Sequence, residues 1–125
     1  MATTKHPGLI VILALSLSGC YYDKADVVYP PNAPCDTATI GFAAQIKPIL
    51  DAKCASCHGA SYAAYGGGVD LQSYQSILNS VNNGTLLNSV LQNGKASPMP
   101  KGGNKVDDCS IKKISIWIRN GSPNN

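Results

Sequence analysis

Apolar residues along this chain fall into two patterns: one unbroken run near the start, and short stretches with helical spacing from about residue 39 onward. The run from Leu9 to Leu17 follows Lys5 and His6 and stops short of the roughly 20 apolar residues that a spanning helix needs. It reads as the centre of a secretory signal; the alternative, an amino-terminal core helix, would show a polar face that this run lacks. Phe42, Ile46, Ile49 and Leu50 then share one helical face and predict a first helix over residues 39–53 with Thr39 as its cap. Pro48 lies inside it and has no N–H to donate, so this helix should kink, or restart near Lys47.

Residues 73–81 and 85–91 read as two short helices, closed by Asn82-Asn83-Gly84 and Asn93-Gly94. The last helix is the clearest: Ile111, Ile114, Trp117 and Ile118 form its apolar stripe, Asp107 or Asp108 caps it, and Gly121 stops it. No segment alternates as a strand would, and no repeat is present. The expected fold is all-α, four or five short helices in one domain.

Composition sharpens that picture. The chain has 125 residues, of which 14% are charged and 6% aromatic, so it can build only a small core. A bound apolar cofactor would add buried surface that the side chains supply sparingly. A formal charge of +3, one unit less without Lys5, is too dilute to gather phosphate backbones, and no aromatic residues interleave with the lysines. Nucleic acid is therefore not an expected partner. Pro30, Pro31 and Pro34, with Asp23, Lys24 and Asp26, make an extended and solvated tether, and the folded domain is expected over residues 35–125.

The chemistry concentrates at Cys54-Ala55-Ser56-Cys57-His58. Two cysteines at this spacing present their sulfurs one helical turn apart, matching the two vinyl groups on one haem edge, and the next residue brings an imidazole to the iron. Cys54 and Cys57 are thus the expected thioether attachments of one covalent haem c, and His58 its proximal ligand. Without residues 1–19, His58 is the only histidine and Met99 the only methionine. Met99 lies between Pro98 and Pro100 in an irregular stretch, where a distal iron ligand suits better than core filler.

Imidazole and thioether together fill both axial positions, which favours carriage of single electrons over catalysis. The alternative function is a small haem peroxidase or gas-reactive protein with an exchangeable distal ligand. It lacks a second histidine, and Arg119 is the only arginine. A zinc half-site or a dithiol at Cys54 and Cys57 is a third reading. Zinc would need Cys35 and Cys109 with His58, and a thioredoxin-like dithiol would need a βαβ pattern.

Two resemblances add to these readings. Leu17-Ser18-Gly19-Cys20 resembles the lipobox of bacterial lipoproteins. That implies removal of residues 1–19, lipid on Cys20, a tether over residues 20–34, and a place on the periplasmic side of the cell envelope. Tyr21, where an aspartate would signal retention at the inner membrane, favours the outer membrane.

Residues 39–122 resemble a small class I cytochrome c, especially the lipoprotein and appended cytochrome domains of Bacteroidota and Planctomycetes. The matching stretches are Phe42 to Leu50, Cys54 to Gly59, Gly67 to Leu71, Met99-Pro100 and Ile114 to Gly121. The resemblance implies a crevice for one haem, first and last helices crossed, and a haem edge open to redox partners. If those helices pack so, Cys35 and Cys109 could meet in a disulfide; the alternative is two buried thiols.

Many class I cytochromes fix the proximal imidazole through a proline carbonyl, but no proline lies between His58 and Pro98. Another carbonyl, expected within Gly66 to Leu71, must serve. Lys53, Lys95, Lys101 and Lys105 are either a ring that steers an acidic partner or simply solvated side chains. Trp117 is a core residue or, alternatively, a donor to a haem propionate.

Overall fold

Pro48 divides the first helical stretch into two kinds of helix. A π-helical turn, Phe42–Ile46, runs into helix α1, Lys47–Lys53, with Pro48 in its first turn. Gly41 O accepts from both Gln45 N (3.1 Å) and Ile46 N (3.3 Å), the widened turn that relieves the crowding a proline ring imposes upstream. The restart at Lys47 matches expectation; the cap does not. Thr39 takes no part, because Gly41 is the extended residue that begins the turn. Its first donors are satisfied from the other end of the sequence: Phe42 N–H donates to Asn125 Oδ1 (2.9 Å) and Ala43 N–H to Asn125 O (2.8 Å).

The computed structural model describes residues 34–125. Residues 1–33 lie outside them, and with them the signal segment, Cys20 and the tether as far as Ala33. Cys35–Asn125 forms one compact unit. After α1 come α2 (Ala55–His58), α3 (Tyr74–Asn82), α4 (Thr85–Leu91) and α5 (Asp108–Arg119). Among the described residues the structure is helical, without a strand, and no helix is long and apolar enough to cross a membrane.

Local chemistry accounts for the helix ends. Ser73 and Ser76 form a reciprocal capping box at the start of α3. Gly84, at φ +76°, makes the left-handed turn into α4 that a side chain would resist. Asp107 caps α5, its carboxylate accepting from Ser110 N (2.9 Å) and Ser110 Oγ (2.9 Å).

Packing then joins the helices. Phe42, Ile46, Leu50, Leu71, Ile77, Leu86, Ile114 and Trp117 form the main core, and α5 rests on the π-helical turn. Trp117 is 0% exposed and stacks on Phe42 with ring centroids 5.5 Å apart; Tyr74 meets Phe42 edge-on at 5.0 Å. The Trp117 indole N–H donates to Pro123 O (2.9 Å), so this residue is structural and no donor to a propionate. Truncating such a side chain costs about 3–5 kcal/mol, a large part of a small domain's stability. Tyr74 OH donates to Ser122 O (2.7 Å), so the carboxy-terminal residues tie α3, α5 and the π-helical turn together. The Sγ atoms of Cys35 and Cys109 lie 2.05 Å apart, with Cα atoms 5.5 Å apart, next to the start of α5.

Candidate functional site

Helix α1 ends at Lys53, and the chain turns through Cys54 directly into α2. Cys54 O accepts from Cys57 N (3.1 Å) and His58 N (2.9 Å), which puts Cys54, Cys57 and His58 around a single turn. Cys54 packs against the main core, and desolvation pushes its thiol up to about 11; Cys57 is exposed. The two thiols therefore present one half-buried and one accessible sulfur.

His58 is held from two sides. Its Nδ1 lies 3.0 Å from Val69 O, so that nitrogen carries the proton and donates, leaving the Nε2 lone pair free for a metal. Its own carbonyl accepts from Leu71 N (2.8 Å). The missing proline carbonyl is thus replaced by that of Val69, within the stretch expected. Gly66 makes this possible. A β-carbon there would stand 2.6 Å from Cys57 O and 2.6 Å from His58 Nδ1, so only glycine lets the returning loop lie on the imidazole.

Met99 comes from the segment after α4. Its N–H donates to Ser89 O (3.1 Å) and its carbonyl accepts from Gln92 Nε2 (3.2 Å), which ties it to the last turn of that helix. Cys54, Cys57, His58 and Met99 all line one cavity of about 770 Å³. Val69, Leu71, Leu86, Val90 and Val106 supply apolar wall, and exposed Lys53, Tyr65 and Lys101 also border it.

The residues present fit a haem c: two sulfurs for attachment, an imidazole with a free nitrogen, a thioether, and apolar walls around a cavity of cofactor size. They do not fit zinc. Among the described residues no group of three or more His, Cys, Asp or Glu side chains could hold a metal ion, because Cys35 and Cys109 meet each other instead.

Comparison with known proteins points the same way. Over 89 residues the chain is 32% identical to the Cbb3-type cytochrome c oxidase subunit CcoP of Azospirillum sp. (strain B510). The relationship is c-type cytochrome-like. The match covers 66% of this chain and 30% of that subunit, so the chain spans less than a third of the relative's length. No protein family model matches the chain, and no solved structure matches it.

The remaining predicted residues divide. Lys53 and Lys101 border the cavity, whereas Lys95 and Lys105 do not. Lys53 Nζ also lies 3.7 Å from Asp107 and Lys105 Nζ 3.7 Å from Asp108, so of the two alternatives a continuous ring of positive charge is interrupted by carboxylates. Gly66 opens the stretch expected to supply the acceptor for His58, although its contact with the imidazole could not be read from the sequence. Gln92 carried no signal at all.

Proposed function

We propose that this chain is a monohaem c-type cytochrome that passes single electrons between redox proteins, with a His58/Met99-ligated haem. One observation carries the reading: the two motif cysteines, the histidine and the sole methionine outside residues 1–19 all line the same cavity. Helix α2 sets both thiols on one turn for attachment. Val69 O keeps the proton on His58 Nδ1 and so leaves Nε2 as the donor atom. Ser89 O and Gln92 Nε2 hold the Met99 backbone, and the apolar walls would shield one side of the bound group from water, which limits reorganisation when charge changes. Haem, when bound, would supply a reversible ferric/ferrous couple, and His58 and Met99 are the residues that would hold its iron. A packing arrangement of the cytochrome c kind, with first and last helices crossed, belongs to this proposal; its support is α5 lying on the π-helical turn.

The wider proposal follows the sequence. Residues 1–19 are removed, Cys20 is lipidated, residues 20–34 form the tether, and the domain of residues 35–125 works on the periplasmic side of the envelope, at the outer membrane. Cys35 and Cys109 form its disulfide, a pairing suited to an oxidising compartment. Redox proteins are the expected partners, in keeping with a relative that is named as an oxidase subunit.

The test is to express the full chain in a bacterium that exports and attaches haem. The denatured protein should keep one haem by mass, and Cys54→Ser together with Cys57→Ser should lose it. The ferric wild type should show a low-spin spectrum with a sulfur-to-iron charge-transfer band that Met99→Ala abolishes. A chain without covalent haem refutes the proposal, and rapid carbon monoxide binding by the reduced wild type would favour a gas-reactive protein.

A further inference from the structure

Helix α4 ends on a residue that is costly for its backbone. Gln92 sits at φ +53° and ψ +41°, the left-handed region in which a β-carbon crowds the following carbonyl and where glycine usually ends a helix. Its N–H donates to Ser89 O (3.2 Å), the same carbonyl that accepts from Met99 N (3.1 Å). A glycine would make that bond as well and would fit the conformation better. What glutamine adds is Nε2, which donates to Met99 O at 3.2 Å. The loop between them is closed independently by Asn93, which donates from Nδ2 to Asn88 Oδ1 (2.8 Å) and accepts from Lys95 N (3.1 Å).

We infer that Gln92 is a positioning residue for Met99: it accepts a strained backbone so that its amide can hold the Met99 carbonyl, and it thereby governs how readily an outside ligand displaces the Met99 thioether. This rests on the reading of Met99 as distal ligand. Without the amide, Met99 keeps one backbone anchor, at Ser89, and the segment from Ala96 to Pro100 gains freedom to withdraw. The bond is solvent-exposed, so the expected effect lies at the lower end for a hydrogen bond.

The experiment compares haem-loaded wild type, Gln92→Gly and Gln92→Glu. Imidazole is titrated into each ferric protein while the sulfur-to-iron band is followed, and denaturant midpoints are measured alongside. Gln92→Gly relieves the backbone but removes the donor; Gln92→Glu keeps size and strain but cannot donate. Both should bind imidazole about three- to fivefold more tightly than wild type, and the glycine variant should keep a midpoint at or above the wild-type value. Wild-type imidazole affinity in Gln92→Gly overturns the inference, whatever Gln92→Glu does. So does a midpoint that falls in Gln92→Gly, which would make Gln92 a general fold contact. A wild type that lacks the band brings down the Met99 reading itself, and this inference with it.

Discussion

Gly66→Ala is the sharpest test of how His58 is held. The added β-carbon would lie 2.6 Å from Cys57 O, 2.6 Å from His58 Nδ1 and 2.9 Å from His58 Cε1. None of these is the free end of a flexible side chain. Cys57 O belongs to the backbone, and the His58 ring is bonded to Val69 O. The loop must therefore lift away, at about 1–3 kcal/mol for overpacking, and it carries the Val69 carbonyl with it, at about 1 kcal/mol for the lost hydrogen bond. Replacing glycine returns roughly 0.4–1 kcal/mol by restricting the unfolded chain. The net loss should be about 1–3.5 kcal/mol, or a fall in Tm of roughly 4–28 °C for a domain of this size. Thermal unfolding of the haem-loaded protein reads the first effect. Voltammetry reads the second, since an imidazole without its acceptor donates less strongly and the reduction potential should rise. Stability within about 0.5 kcal/mol of wild type together with an unchanged potential would refute the account of Gly66.

Two further outcomes are expected. Replacing Cys35 and Cys109 together by alanine removes the proposed cross-link between positions 74 residues apart, and should lower stability by about 2–5 kcal/mol in denaturant titrations, with reductant acting similarly on the wild type. Desolvation would raise the Asp107 carboxyl, but the Ser110 backbone and side-chain hydrogen bonds and nearby Lys53 outweigh it and hold it below its ordinary value. Its contribution is therefore present above the unfolded carboxyl range and is lost as pH falls through the lowered one. Asp107→Ala should cost about 0.5–2 kcal/mol at pH 7, and the difference from wild type should shrink below about pH 4.

The sequence by itself determined whatever depends on neighbours within a turn or two. The spacing Cys54, Cys57, His58 becomes a single helical turn because Cys54 O reaches both following N–H groups. Thr85–Leu91 appears as read. Asp107 caps α5 through a residue three positions away, and Pro48 restarts its helix because a proline ring acts on the turn it sits in. Thr39 misled because its type suits a cap but its position does not; Asn125 does that work from 83 residues away. Such pairings have no local period to announce them. They form only because α5 packs on the π-helical turn and brings residues 122–125 beside Phe42 and Tyr74. The same holds for the indole of Trp117 on Pro123 and for Val69 O on His58, where backbone carbonyls serve whatever their side chains are. A carbonyl leaves no mark in the sequence, so the support of His58 and Met99 was decided by tertiary structure, and the identity of the groups they offer by the chain itself.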